Sequence, residues 1–193
     1  KAVSLDIETD MTASHLYSIA LYSDEHKIVL MRGEGQDELI AESVTGSLSL
    51  KFFESEKQLL EALVQTLAAI DPDVVMGWNV VNFDLRCLQE FADAHKVALN
   101  LGRNQEAVSW RQTRDGNDRY YALVPGRVVL DGIDLMRSAT YQFENFSLEY
   151  VSRQLLDRGK LIDDVDQRGA EISELFHSDK VALARYNLED CRL

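Results

Sequence analysis

The chain has 193 residues, 46% of them hydrophobic and only two of them proline, which gives enough apolar length for one packed core and excludes a disordered chain. No run of about 18 apolar residues occurs, which excludes a helical membrane span, and no basic-then-apolar stretch reads as a secretory leader. Its formal net charge of −13, from 20 basic and 33 acidic side chains, argues against a protein that grips nucleic acid by a basic surface.

Ala2–Glu8 alternates: Val3, Leu5 and Ile7 face one way and Ser4, Asp6 and Glu8 the other, the pattern of a strand with one face on the core. Leu16–Tyr22 and Lys27–Arg32 read as two more strands with Asp24-Glu25-His26 as the turn, so the chain opens as an antiparallel meander. Gly33–Ser49 reads as a polar loop. Ser55-Glu56-Lys57-Gln58 has the form of a capping box, and behind it Leu59, Leu60, Leu63, Val64, Leu67 and Ile70 recur at helical spacing until Asp71-Pro72 ends the helix. Asp73–Trp78 is a short apolar run, expected as a buried strand. Phe83–His95 is expected as a helix burying Leu85, Leu88, Phe91 and Ala92.

Val108–Val124 reads as a hairpin turning near Asp115-Gly116, and Arg127–Leu130 as a strand. Ser147 is expected to cap a helix through Leu156, and Ser178 one through Asp190, with Asp163–Arg168 as an acidic loop before it. The order of elements predicts a single α/β domain with a mixed sheet over residues 1–193. Lys1, a start without methionine and already in a strand pattern, suggests a piece of something longer. Cys87 and Cys191 form no short metal motif and read as reduced core cysteines of a cytosolic protein.

Three segments carry chemistry. Asp6 and Glu8, two apart on a strand, put both carboxylates on one face; like charges so placed destabilise the fold unless a cation lies between them, and hard oxygens suit Mg²⁺ or Mn²⁺. Gly77-Trp78-Asn79-Val80-Val81-Asn82-Phe83-Asp84 leaves a strand and opens a helix, where α/β sheets place ligands and where helix N-termini favour anions. There Asp84 offers a third carboxylate and Phe83 a ring on which a base can stack. Tyr186 and Asp190, four apart, share one helix face, so the phenol can orient a water beside the carboxylate. Taken singly each segment has a plainer reading: a solvent-facing acidic edge, a first-turn acid beside a core phenylalanine, a boundary tyrosine beside an exposed acid.

Together, Asp6-Ile7-Glu8-Thr9, Asn79-x-x-x-Phe83-Asp84 and Tyr186-x-x-x-Asp190 resemble, in order and rough spacing, the three exonuclease motifs of family B DNA polymerases. The stretches Asp71–Val81, Gly126–Ile133 and Tyr186–Cys191 look most like the bacterial branch of that family, and the resemblance spans essentially the whole chain. It implies an RNase H-like fold, a mixed central sheet flanked by helices with the Asp6 strand in the middle. It implies a 3′→5′ exonuclease that proofreads DNA ends by two-metal phosphodiester hydrolysis, releasing nucleoside 5′-monophosphates, as part of a DNA-directed DNA polymerase.

Carried over residue by residue, Asp6, Glu8 and Asp190 would hold one divalent ion, Mg²⁺ or Mn²⁺, and Asp6 with Asp84 a second. Tyr186 would position the attacking water. Asn79, Phe83 and the Thr9 backbone would contact the 3′ end of single-stranded DNA. The remaining domains of the polymerase chain would supply most of the grip on duplex, which reconciles the acidity with a nucleic-acid substrate. The resemblance places the protein in the bacterial cytoplasm, associated with the nucleoid, with no membrane partner.

Relatives of this family often carry a strand-separating hairpin between the second and third motifs, where Val108–Val124 falls; a structural hairpin is the plainer reading. An oligoribonuclease-like enzyme would carry histidine where Arg185 stands, and His177 lies too far upstream to replace it. The alternative is a catalytically silent DNA-binding or bracing domain, against which the presence of Asp6, Glu8, Asp84 and Asp190 argues. Lys160 and Arg185 are candidates for phosphate contacts or plain surface charges. No Tyr-Gly-Asp-Thr-Asp segment occurs, so DNA synthesis is not expected of this chain.

Overall fold

The computed structural model describes residues 1–42, 46–113, 119–158 and 168–193. Nine strands and six α-helices follow one another along these residues: β1 (Ala2–Thr9), β2 (Leu16–Tyr22), β3 (Lys27–Arg32), β4 (Glu38–Glu42), β5 (Gly46–Phe53), α1 (Glu56–Ile70), β6 (Val74–Gly77), α2 (Asp84–His95), β7 (Ser109–Gln112), β8 (Tyr120–Leu123), β9 (Val128–Asp131), α3 (Gly132–Ser138), α4 (Leu148–Leu156), α5 (Arg168–Ser178) and α6 (Lys180–Arg192). Seven strands form one mixed sheet in the order β4-β5-β3-β2-β1-β6-β9. The expected meander β1-β2-β3 is antiparallel, while β6 joins β1, and β9 joins β6, in parallel. None of the described helices is long and apolar enough to cross a membrane.

The period-2 pattern of β1 sorts its side chains as expected. Val3, Leu5 and Ile7 enter a core with Leu59, Leu60, Leu63, Leu67 and Ile70 of α1 and Leu85, Leu88, Phe91 and Ala92 of α2. On the opposite side α5 and α6 cover the sheet with Ile172, Phe176, Leu183, Ala184 and Leu188, packed on Tyr17, Ala20, Val29, Met31, Leu48 and Leu50. Burying each such aliphatic side chain contributes about 1.5–3 kcal/mol, so the two layers clamp β1 from both faces. Both thiols are free and held protonated: burial pushes Cys87 up to about 11 and Cys191, in contact with the Ala20 carbonyl, also upward.

Two expectations are corrected. Gly33–Ser49 is not a loop throughout, because β4 and β5 arise within it and β5 pairs parallel with β3. The Ser and Gly content hid an alternation in which Leu48 and Leu50 point inward between Ser47, Ser49 and Lys51. Ser178 does not cap the last helix. It ends α5, donating to the Glu174 carbonyl, and the cap is Asp179, whose Oδ1 accepts from Ala182 N at 2.9 Å. The Asp179 carboxylate there also complements the partial positive charge of the helix N-terminus.

The other caps hold. Ser55 accepts from Gln58 N, although Gln58 reaches back to Glu54 N rather than to the cap itself; Asp71 turns left-handed at the end of α1; and Ser147 accepts from Tyr150 N. The strand after Asp71-Pro72 is shorter than expected, Val74–Gly77, and α2 begins at Asp84 with Phe83 at its cap position. The hairpin forms as β7 paired with β8, anchored on the segment before α2 by Tyr120 N donating to Asn82 Oδ1 and on α2 itself by Trp110 Nε1 donating to Gln89 Oε1. Its turn at Asp115-Gly116, Lys160, and the 163–167 part of the acidic loop lie outside the described residues; Arg168 itself opens α5.

Candidate active site

Asp6 and Glu8 leave β1 on the face that α6 covers, and Tyr186 and Asp190 leave α6 toward them. One ligand oxygen each from Asp6, Glu8 and Asp190 lies within 4.8 Å of the others, a set of hard donors suited to a divalent cation. Glu8 and Asp190 are buried and Asp6 half-buried. A single cavity is lined by Asp6, Ile7, Glu8, Trp78, Asn79, Phe83, Asp84, Leu148, Arg168, Ile172, Tyr186 and Asp190. All three motifs found in the sequence therefore meet in one place.

Asp84 arrives from the other layer. It is only 2% exposed and accepts a hydrogen bond from Ile7 N at 3.0 Å, so the first residue of α2 is tied to the backbone of the strand that carries Asp6 and Glu8. Burial first, and then the Asp6 charge, hold its carboxyl well above the usual range, against the lowering effect of that hydrogen bond. The loop that delivers Asp84 is fixed by Asp131, whose carboxylate caps α3 at Ile133 N and also accepts from Val81 N at 3.1 Å. Gly77 permits the close approach, since a Cβ there would lie 2.4 Å from the Leu5 carbonyl oxygen. Asn79 adopts left-handed φ of 58°, a conformation asparagine tolerates, and Phe83 N donates to its carbonyl.

Tyr186 is 2% exposed. Burial, with the charges of Asp190 and Glu8, raises its pKa, so the phenol keeps its proton and acts as a hydrogen-bonding group. Phe83, 41% exposed, and Asn79 border the cavity. Thr9 is outside the cavity lining; it follows a register shift at Glu8/Thr9, and its hydroxyl donates to the Asp10 carbonyl. Arg185 is exposed on α6.

Sequence reasoning passed over Asn187. It is fully buried, donates Nδ2–H to Asp6 Oδ2 at 2.7 Å and accepts from Ser18 Oγ at 2.8 Å, so it fixes the Asp6 carboxylate from β2 and α6 together. Its place beside Tyr186 in the third motif was visible; that it would face β2 was not. Trp78, Leu148, Arg168 and Ile172 were likewise not expected in the cavity wall. Trp78 is held there by Nε1 donating to the Phe146 carbonyl at 2.9 Å.

The family model of the DNA polymerase family B exonuclease domain matches residues 2–151. DNA polymerase II of Escherichia coli is 43% identical over 193 residues, 100% of this chain and 24% of that relative. A DNA polymerase of Thermococcus litoralis is 30% identical over 141 residues, 72% of this chain and 8% of its own length. The DNA polymerase delta catalytic subunit of Plasmodium falciparum is 30% identical over 127 residues, 61% of this chain and 11% of its own. The chain thus spans about a quarter of the first of these relatives and less of the other two. On the family match and the full-length identity, the chain belongs to the exonuclease domains of family B DNA polymerases, RNase H-like 3′→5′ proofreading exonucleases.

Proposed function

We propose that this domain hydrolyses the last phosphodiester at a single-stranded DNA 3′ end with two Mg²⁺ or Mn²⁺ ions, releasing nucleoside 5′-monophosphates, within a DNA-directed DNA polymerase of the bacterial cytoplasm and nucleoid. The observation that carries this reading is the meeting of Asp6, Glu8 and Asp190, ligand oxygens within 4.8 Å of one another, in a cavity that Asp84 and Tyr186 also line. The donor set fits hard divalent cations: carboxylate oxygens only, on a face where like charges otherwise repel. Asp6, Glu8 and Asp190 would hold one ion and Asp6 with Asp84 the other. When bound, such ions lower the pKa of water and stabilise the leaving oxygen of an in-line displacement.

The chain's own groups do the rest. Tyr186, protonated by virtue of its burial, orients the attacking water rather than removing its proton. The water oxygen bonds to phosphorus as the water gives up one proton to solvent, the bond to the 3′ oxygen breaks, and that oxygen takes a proton back from solvent, so that one water is consumed per linkage cleaved. Asn187 keeps Asp6 in place throughout. Phe83 offers an exposed ring to the terminal base and Asn79 a polar edge beside it, so a frayed end is favoured because its bases are already unstacked. The rest of the polymerase chain would deliver that end and hold the duplex.

The test is digestion of a 5′-labelled single strand in Mg²⁺ or Mn²⁺, by the whole polymerase chain and by the 193-residue domain, beside an Asp6→Ala/Glu8→Ala variant. Stepwise shortening from the 3′ end by the wild type alone is expected. Equal digestion by wild type and variant, or none by the wild-type polymerase, would sink the proposal.

A further inference from the structure

We propose that Arg168 is a further substrate-binding residue of this site, its guanidinium donating to the non-bridging oxygens of the phosphate that is cleaved. The inference rests on the nuclease reading and adds a residue to it. Arg168 is the only cationic side chain in the cavity lining among the described residues, against four carboxylates. Its Nε and Nη2 are buried and have no hydrogen-bond partner among the described residues. Buried arginine donors left unmade are costly, and three arginines elsewhere among the described residues show the usual arrangement. Arg32 donates to Glu56, Arg103 to Asp71 and Asp73, and Arg127 to Asp71 and the Leu101 carbonyl.

The position of Arg168 is fixed by the fold. Arg168, Ile172 and Phe176 recur at four-residue spacing on one face of α5, and Ile172 lines the same cavity. Phe176 stacks on Tyr17 of β2 with ring centroids 4.0 Å apart, and Tyr17 Oη donates to Ser173 Oγ at 3.2 Å. The first turn of α5 lies against the β1–β2 connection, where a Cβ on Gly169 would sit 2.5 Å from Met11 Cγ. Helix and sheet thus hold the guanidinium at the wall of the cavity, close enough for its charge to act on the Tyr186 phenol.

The chemistry of the missing partner follows from what is already there. The carboxylates carry acceptors for metal ions, and Tyr186 for water. Two parallel N–H donors on a planar cation match two oxygens of a tetrahedral anion, the geometry by which arginine selects phosphate. A phosphodiester held by those ions presents such oxygens, and its charge grows as water attacks. Arg168 would therefore bind the cleaved linkage most strongly in the transition state.

The experiment uses the whole polymerase chain that carries this domain. Single-turnover excision of a 3′-single-stranded DNA is measured in Mg²⁺ for wild type, Asp6→Ala/Glu8→Ala, Arg168→Ala and Arg168→Lys. Arg168→Ala is expected to be slower by ~100-fold, the loss typical of removing one donor to developing oxyanion charge. Its half-saturating Mg²⁺ should stay that of the wild type. Lysine at 168, or guanidinium ion added to Arg168→Ala, should restore part of the rate, which no purely structural role allows. Wild-type excision by Arg168→Ala, or a loss that neither lysine nor guanidinium restores, overturns the proposal while leaving the nuclease reading intact. Absence of excision by the wild type itself sinks the nuclease reading and this one with it.

Discussion

Glu56 and Asp84 are both buried carboxylates, 8% and 2% exposed, each is the first residue of a helix, and each accepts a backbone N–H from the sheet, from Leu16 and Ile7 respectively. Their remaining surroundings are opposite. Glu56 meets Arg32 at 2.6 Å and His95 at 2.6 Å, so the fold supplies the groups that hold it. The charges that act on Asp84 are those of Asp6 and Asp131, and they push its proton affinity up. A buried acid beside an arginine has its charge compensated within the chain that contains it. A buried acid among other acids is a cost to the folded chain that an added cation would remove, and the difference separates a structural carboxylate from a functional one.

The sharpest way to break that comparison is to delete each kind of acid in turn. Asp6→Ala/Glu8→Ala should lose excision by at least ~10³-fold, the scale expected when several kcal/mol of metal-borne charge stabilisation goes, while melting in chelator should not fall. Glu56→Ala should do the reverse. Removing one partner of a buried ion pair costs about 3–5 kcal/mol, read in urea denaturation, and the folded fraction should still excise at the wild-type rate. If the site variant were the less stable of the two, the distinction would be wrong.

The functional acids were legible in the sequence because their spacing is local. A step of two on β1 put Asp6 and Glu8 on one face, a step of four on α6 put Tyr186 and Asp190 on another, and the resemblance joined segments that the local pattern could not. The groups that escaped are those placed by distant partners. Asn187 is defined by Ser18, 169 positions away, and nothing in its own helix spacing announces that contact. Arg168 closes an acidic stretch and reads with it as a loop, whereas it opens α5. The Glu38–Glu42 strand has one partner strand and leaves Leu39 72% exposed, so its apolar alternation is weak. The Asp179 cap was missed because Ser178, its neighbour, is as good a candidate by type alone.

A finer test asks whether a carboxylate of the functional kind depends on a neighbour that only orients it. Asn187→Ala leaves Asp6 without the 2.7 Å donor and Ser18 without its acceptor. Removing such an outer-shell partner is expected to cost about 10–100-fold in metal affinity or activity, read as excision against Mg²⁺ concentration. An unchanged titration would mean that Asp6 is positioned by the strand alone.

The smallest effect is one of sign, and it sets Asp84 against Asp71. In chelator the folded Asp84 holds its proton above the ordinary value of 3.8, so its contribution to stability is full below that value and is lost as pH rises toward the folded pKa. Asp71, hydrogen-bonded by Arg103 and Arg127, is held below its ordinary 3.8 in the folded state. Its contribution is present above 3.8 and is lost as pH falls through that lowered value. Asp84→Asn, which keeps an oxygen for Ile7 N, should therefore raise the neutral-pH melting temperature in chelator. Asp71→Asn should lower it slightly, because that carboxylate is largely exposed and screened by solvent. Melting curves across pH read both. Shifts of the same sign at neutral pH would show that the acids of the cavity are no worse off in the folded chain than a surface ion pair, and the case for a cation among them would lose its electrostatic half.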